Sequence, residues 1–203
     1  MLVEINEENI DNRLIDDVVA QLKKGELIIY PTDTVYAMGC DLNNKKALEK
    51  LAKFKSVKLK QSQFSIICKD FSQISEYVKQ ISQPTFKLMK QHLPGPYTFI
   101  LNASNDVTKL FDAKRKEIGI KVPNNKIVLS IVEKLGNPLV TTSLNNNDDE
   151  LMEYFTDPYE IYQRFDDKIP TIIDGGTGQL KASTILDCTN DHPVVIREGA
   201  GEI

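Results

Sequence analysis

A polar segment at residues 31–39 carries the side chains of this chain that are best suited to chemistry. It follows the apolar segment 27–30, and it brings together two hydroxyls, a carboxylate and a phenol: Thr32, Asp33, Thr34 and Tyr36. Binding groups concentrate on loops that a rigid strand holds in place. These groups suit a small polar substrate with an amine, a hydroxyl and a carboxylate. The same residues also fit a local turn in which Thr32 and Asp33 bond only their own backbone.

Clustered cations form a second candidate element. Four lysines lie close together in the sequence: Lys53, Lys55, Lys58 and Lys60. Like charges at this spacing repel one another, so they are tolerated when they are exposed or when an anion lies among them. A solvated basic surface is therefore the alternative to an anion site. Further along the chain, the guanidinium of Arg197 could bind a phosphate bidentately or form a surface ion pair with Glu198.

Neutral hydrogen-bonding side chains flank three predicted strands. Ser143 and Asn145 follow one strand, Ser183 precedes another, and Thr98 lies in a third, just after the stiff turn at residues 94–96. Hydroxyl and amide groups can bond phosphate or ribose oxygens. Each of these short motifs is weak alone, because a helix end or a buried strand would contain the same residue types.

The residue inventory disfavours several classes of chemistry. No arrangement of serine, histidine and aspartate indicates a catalytic triad, and no carboxylate pair indicates hydrolysis. The chain has two histidines, His92 and His192, so we expect no protein-bound metal. The three cysteines are widely spaced and sit in apolar segments, which predicts buried free thiols. What is left is an electrostatic site that works by positioning and charge neutralisation.

Length and charge indicate an ordinary globular protein. The 203 residues fit one domain spanning 1–203. The formal net charge of −4 gives no general attraction to nucleic acid, so any RNA contact must come from a local patch. The polar N-terminal segment shows no leader sequence and no apolar span, which predicts a cytoplasmic protein with no membrane partner.

Apolar spacing predicts interleaved strands and helices. We expect helices at residues 10–24, 45–54, 74–77, 83–93 and 126–135, with partial helix in 151–168. We expect strands at residues 27–30, 63–68, 97–101, 118–122, 139–142, 171–174, 184–187 and 194–197. The polar run 145–150 is predicted to be a loop beside Ser143. Short connections favour an α/β domain with a mixed, largely open sheet over a regular parallel fold.

Six segments in order resemble one known family. They are residues 31–39, 93–98 (LPGPYT), 118–123 (IGIKVP), 142–145 (TSLN), 183–187 (STILD) and 195–199 (VIREG). This pattern is similar to the YrdC-like threonylcarbamoyl-AMP synthase family, and parts of it resemble the YciO-type branch of that family. The resemblance covers nearly the whole chain. It implies a YrdC-like α/β fold, with an open, twisted, mixed sheet flanked by helices.

The resemblance also implies an activity and a set of roles. A synthase of this family joins L-threonine, bicarbonate and ATP into threonylcarbamoyl-AMP, which serves tRNA modification, and releases pyrophosphate. Mg²⁺ would be held mainly by the phosphates. The implied threonine site is Thr32, Thr34, Tyr36 and Ser143. The implied nucleotide site is Lys55, Lys58, Thr98, Lys121, Ser143, Asn145, Ser183 and Arg197, with Lys55 and Arg197 as the catalytic cations.

Two positions depart from the family pattern. The family carries a Lys-x-Arg pair after the second helix, whereas this chain has Lys55-Ser56-Val57, and Lys121 stands where arginine is usual. A lysine does not reproduce the bidentate fork of arginine. Lys58 or Lys60 could supply the missing charge.

These departures favour a second hypothesis. A YciO-type protein would bind nucleotide or double-stranded RNA, in a role linked to translation or ribosome maturation, without efficient synthesis. We expect a monomer or a homodimer under either hypothesis.

Overall fold

Short strands and helices alternate along the chain, as the apolar spacing predicts. The computed structural model describes residues 1–111, 116–145 and 154–203. The strands are β1 (Leu2–Glu4), β2 (Ile28–Tyr30), β3 (Ala37–Asp41), β4 (Ser65–Ile67), β5 (Tyr97–Asn102), β6 (Glu117–Lys121), β7 (Leu139–Ser143), β8 (Thr171–Asp174), β9 (Thr184–Asp187) and β10 (Val194–Arg197). The helices are α1 (Asn12–Lys23), α2 (Lys45–Phe54), α3 (Phe71–Tyr77), α4 (Gln83–His92), α5 (Asn105–Leu110), α6 (Lys126–Leu135) and α7 (Pro158–Phe165), with a 3-10 turn at Leu59–Gln61.

The strands of the described residues join one ten-stranded sheet in the order β1-β8-β2-β3-β7-β4-β6-β5-β9-β10. Parallel neighbours are β1 with β8, β8 with β2, β4 with β6, and β5 with β9. The other neighbours are antiparallel. The predicted mixed and open sheet flanked by helices is therefore confirmed.

Local sequence sets the ends of the helices. The Asp11 side chain caps α1, and the Asn125 side chain caps α6 by accepting a backbone N–H bond. Gly25 and Gly136 follow these helices with φ of 88° and 84°, a conformation that glycine adopts without a Cβ clash.

Across residues 1–111, 116–145 and 154–203, no helix combines the length and apolar content needed to cross a membrane.

Two apolar clusters lie against the sheet. The larger one joins strand residues such as Ile66, Phe99 and Ile120 to α2, α3, α4, α5 and α7. The other joins β2 and β8, through residues such as Ile28 and Ile173, to α1 and α6. Within the described ranges, this second cluster includes no residue of β6, β5, β9 or β10. Its helical layer therefore ends partway across the sheet, and cavities border the strands beyond that point.

Most predicted elements agree with the structure, and five of them agree to the residue: α2, α6, β8, β9 and β10. The sequence does not predict β1, β3 or α5. The predicted loop 31–39 is wrong in its last three residues, because Ala37 begins a buried strand that pairs with β2 and β7. Asn145 forms an isolated bridge to Tyr154, and the rest of the predicted loop 145–150 lies outside the described residues.

Candidate functional site

A two-part cavity occupies the open part of the sheet. The inner cavity has a volume of about 160 Å³, and its lining includes Ser65, Thr98, Lys121, Ser143, Ser183 and Arg197. The outer cavity has a volume of about 750 Å³, and its lining includes Lys60, Ile100, Lys116, Glu117, Ile185 and Ile196. The two share Gln63, Ser65, Thr98 and Ile185, so they adjoin one another.

Small residues keep the floor of this space low. A Cβ built on Gly119 would lie 2.2 Å from Ser65 Oγ and 3.2 Å from Thr98 Cγ2. Because a real Cβ does not approach an oxygen so closely, glycine at this position lets β4 and β5 present their hydroxyl side chains on either side of it. The floor between the two cavities is therefore shallow and carries hydroxyl groups.

Lys121 places a buried cation at the inner cavity. Its residue is 8% exposed, and its Nζ has no hydrogen bond or ion pair with any part of the chain that the structure describes. Burial lowers the pKa of Lys121, the negative charge of Asp33 raises it, and the positive charge of Arg197 lowers it. The attraction of Asp33 does not offset the cost of burying this ammonium, because the pKa is lowered on balance, so the arrangement is suited to an anionic ligand.

Arg197 is held in place by Ser183. Its Nη2 and Nε donate to the Ser183 carbonyl oxygen at 2.7 and 3.3 Å. The Ser183 hydroxyl in turn lies 2.8 Å from the Thr98 hydroxyl, and either can be the donor. These contacts fix the guanidinium beside the inner cavity through β9 and β5. The structure thus brings together Thr98, Lys121, Ser183 and Arg197, which the sequence analysis assigned to one nucleotide site.

Lys55 joins the end of α2 to the end of β7. Its Nζ donates to Asn145 Oδ1 at 2.8 Å and lies 3.5 Å from the Ser143 carbonyl oxygen. Burial lowers the pKa of Lys55. Because Ser143 lines the inner cavity, these three predicted residues meet at its rim.

The polar loop uses its hydroxyls mainly to hold its own shape. Thr32 Oγ1 donates to the Val35 carbonyl oxygen at 2.8 Å, accepts a bond from the Thr34 backbone and lies 3.0 Å from the Thr34 hydroxyl. For Thr32, the local-turn interpretation is therefore the observed geometry. The loop borders the inner cavity through Val35 and Ala37.

Tyr36 and Asp33 tie this loop to its neighbours. The Tyr36 hydroxyl donates to the Gly176 carbonyl oxygen at 2.7 Å and accepts a bond from the Gly175 N–H, while burial raises its pKa to about 12. Asp33 Oδ2 accepts a bond from the Asn124 N–H at 2.8 Å, which anchors the loop to the start of α6. Burial raises the pKa of Asp33, opposed by this bond and by the charge of Lys121.

The segment after α2 sends its lysines in different directions. Lys58 lines a separate groove with Val57, Lys53 and Glu49, and it is not among the residues that line either cavity. Lys60, which the sequence analysis named only as an alternative to Lys58, lines the outer cavity.

Several lining residues have no counterpart among the predicted site residues, including Ser65, Gly119, Thr141 and Ile185. One pattern could have indicated them. A serine and a glycine interrupt otherwise apolar strands at Ser65 and Gly119, and small residues inside strands mark places where a ligand or another chain approaches closely.

The described residues contain no group of three or more histidines, cysteines, aspartates or glutamates that could hold a metal ion.

Cys40, Cys68 and Cys188 are buried and free, as predicted. Burial raises the pKa of each thiol, to about 11 for Cys188, so these side chains behave as small apolar groups.

The sequence and the fold of this chain are those of a known family. Residues 20–199 match the family model of the Sua5/YciO/YrdC domain, which carries the description "Telomere recombination". The chain therefore belongs to the Sua5/YciO/YrdC family. The predicted resemblance is confirmed.

Individual relatives place the chain near YciO within this family. It is 39% identical over 200 residues to the uncharacterized protein YciO of Escherichia coli, covering 98% of this chain and 95% of YciO. The crystal structure of that protein matches with a TM-score of 0.89, covering 100% of this chain and 97% of that one. The threonylcarbamoyl-AMP synthase of Vibrio parahaemolyticus is 30% identical over 187 residues, 91% of this chain and 98% of the synthase.

A structure of Sua5 from P. abyssi in complex with L-threonine is also similar. It matches with a TM-score of 0.88 at 26% identity, covering 98% of this chain and 57% of Sua5. The family therefore includes threonylcarbamoyl-AMP synthases as well as uncharacterized YciO proteins.

Proposed function

We propose that this protein binds ATP in the two-part cavity and forms L-threonylcarbamoyl-AMP from L-threonine and bicarbonate, with release of pyrophosphate. The observation that carries this proposal is Lys121, a buried cation that lines the inner cavity beside Arg197 and makes no hydrogen bond or ion pair with the described residues. The synthase named among the relatives and the Sua5 complex with L-threonine support the same chemistry.

In the proposed reaction, the threonine amine combines with carbon dioxide from bicarbonate to give a carbamate. A carbamate oxygen forms a bond to the α-phosphorus of ATP, and the bond from that phosphorus to the bridging oxygen of pyrophosphate breaks. Negative charge then grows on the leaving pyrophosphate. Lys55, Lys121 and Arg197 neutralise charge where the bond to the α-phosphorus breaks, and the Thr98, Ser143, Asn145 and Ser183 side chains orient the nucleotide, since positioning and electrostatics dominate phosphoryl-type transfer.

Threonine would lie at the end of the inner cavity beside Ser143, where Val35 and Ala37 border it. Thr32, Thr34 and Tyr36 then act as positioning residues. Their hydroxyl contacts hold the polar loop against Gly176 and keep it at the cavity wall. Thr34 is completely buried, which suits a role in shaping the loop.

The cavity does not fit a magnesium ion held by the protein. Mg²⁺ prefers oxygen ligands, chiefly carboxylates and phosphates, whereas the inner cavity presents hydroxyls and cations. We therefore assign no side chain and no step of the reaction to magnesium, which would arrive on the phosphates of ATP.

The proposal is tested by pyrophosphate release from ATP, bicarbonate and Mg²⁺, with and without L-threonine. We expect release that depends on threonine in the wild type and is lost in Lys121→Met. Lys87→Met is a matched control, because Lys87 is an exposed lysine on α4. The proposal would be contradicted if pyrophosphate release did not depend on threonine, or if it were equal in the Lys121 and Lys87 variants.

Val57 favours a second candidate function. The side chain that replaces the expected arginine is 41% exposed and lines the groove with Lys58, so this segment sends no guanidinium into the inner cavity. The higher identity to YciO than to the Vibrio synthase agrees with this departure. Under this candidate, the protein binds nucleotide or double-stranded RNA without synthesis. Retained binding with no pyrophosphate release would support it, and an RNA affinity that falls steeply with salt would indicate lysine–phosphate contacts.

A further inference from the structure

The two lysines that follow Val57 reach different surfaces because of the turn between them. Gln61 N donates to the Lys58 carbonyl oxygen at 2.8 Å, and Ser62 N donates to the Leu59 carbonyl oxygen at 3.1 Å. Leu59 packs against the larger apolar cluster. The chain therefore turns around Leu59, which leaves Lys58 in the groove beside Val57 and puts Lys60 at the outer cavity.

The outer cavity combines two lysines with an apolar wall and one carboxylate, that of Glu117. Lys60 and Lys116 both line it, and neither has a hydrogen bond or an ion pair from its side chain to the residues described at 1–111, 116–145 and 154–203. Three isoleucines from neighbouring strands form the wall: Ile100 on β5, Ile185 on β9 and Ile196 on β10. A ligand that fits this space has both an anionic part and an apolar part, and it continues into the inner cavity at Thr98 and Ser65.

We propose that Lys60, and not Lys58, supplies the cation that this chain lacks at position 57, and that it binds the β- and γ-phosphates of ATP together with Lys116. The inference rests on the proposed nucleotide site, with the α-phosphate beside Lys121 and Arg197. The inner cavity, at about 160 Å³, is too small for a whole nucleotide. Part of the nucleotide therefore extends into the outer cavity, and Lys60 and Lys116 are the lysines there that can bind its β- and γ-phosphates.

The test compares Lys60 with Lys58, which lies two residues away and is also exposed to solvent. The affinities of Lys60→Met and Lys58→Met for ATP and for AMP are measured by calorimetry, with no threonine or bicarbonate present. Lys60→Met should weaken ATP binding about tenfold and change AMP binding less than twofold, because AMP lacks the terminal phosphates. Lys58→Met should leave both affinities within twofold of the wild type, and Lys60→Arg should retain ATP binding.

Three results would overturn the inference: equal losses in the two methionine variants, equal losses for ATP and AMP, or no ATP affinity in the wild type. Equal losses of ATP affinity in Lys60→Met and Lys58→Met would mean that Lys60 contributes only long-range electrostatic attraction and no direct contact. Failure of this inference can be distinguished from failure of the proposed synthase function. ATP affinity that depends on Lys60, without threonine-dependent pyrophosphate release, would overturn the synthase function and leave this inference standing.

Discussion

The two faces of β5 and β6 serve opposite purposes. On one face, Phe99, Ile118 and Ile120 are completely buried in the larger apolar cluster. On the other, Thr98 and Lys121 line the cavities. Because side chains alternate along a strand, residues with these opposite roles are immediate neighbours in the sequence.

This contrast teaches that stability and binding are separable within a single strand. Burial on the helix-covered face stabilises the fold in proportion to the apolar area removed from water. The cavity face instead holds a cation, whose burial costs stability. It also holds hydroxyls that can form hydrogen bonds with a ligand. Substitutions one residue apart should therefore change different measurable quantities.

The largest expected effect is on the covered face. Phe99→Ala should lower the free energy of unfolding by about 3–5 kcal/mol, since it leaves a cavity in a fully packed cluster. Urea denaturation measures this loss. The affinity of the folded variant for ATP should stay within about twofold of the wild type. A large loss of affinity at temperatures where the variant is folded would mean that the two faces are coupled.

The next effect is on the cavity face and has the opposite sign for stability. Lys121→Met should raise the free energy of unfolding by roughly 1 kcal/mol, because it removes a buried charge whose desolvation outweighs the attraction of Asp33. It should weaken ATP binding roughly 30-fold or more, because the phosphates lose that charge. Denaturation and calorimetry on the same preparation test both parts. A destabilised variant would show that Lys121 supports the fold.

Lys121 also predicts a pH dependence. Burial lowers its pKa from the ordinary value of 10.5. Between the lowered pKa and 10.5, the unfolded chain binds a proton that the folded protein has lost, so the free energy of unfolding should rise with pH. ATP affinity should fall over the same interval as the ammonium becomes neutral. Lys121→Met should remove both dependences, and identical pH profiles in the two proteins would contradict the assignment.

An effect on stability smaller than that of Phe99→Ala concerns the floor between the cavities. Gly119→Ala places a Cβ 2.2 Å from Ser65 Oγ, which should cost about 1–2 kcal/mol of stability through overpacking. Ser65→Ala in the same chain should recover more than half of that loss, because it removes the clashing oxygen. Gly136→Ala is the control: it meets nothing within 4 Å but has a φ of 84°, so Ser65→Ala should not rescue it. Equal behaviour of the two glycine variants would show that backbone strain is the cause at both positions.

Much of the fold follows from the sequence alone, because periodic apolar spacing and strong end signals act locally. α6 is an example, with Asn125 before it and Gly136 after it. β3 is harder to predict, since its strand conformation depends on pairing with β2 and β7 rather than on its own residues. β1 is likewise a three-residue strand that is formed by pairing with β8.

The candidate site is predictable where its polar residues lie in recognisable motifs. Ser143, Ser183 and Arg197 lie at strand ends inside recognisable motifs, and they meet at the inner cavity. Ser65 lies outside those motifs, and it faces the cavities through the pairing of β4 with β6, which joins distant parts of the chain. The different destinations of Lys58 and Lys60 depend on one turn around Leu59, a detail that charge patterning does not contain.

The hydroxyl pair of Thr98 and Ser183 has one further consequence. The two oxygens are 2.8 Å apart, and either can donate to the other. When one hydroxyl donates its hydrogen to the other, the acceptor hydroxyl still has its own hydrogen to donate, because each group carries one. The cavity floor can thus donate one O–H to a ligand oxygen, and rotation of the two hydroxyls moves the donor from Thr98 on β5 to Ser183, just before β9. A ligand whose acceptor atoms shift during a reaction could be followed in this way without any movement of the backbone.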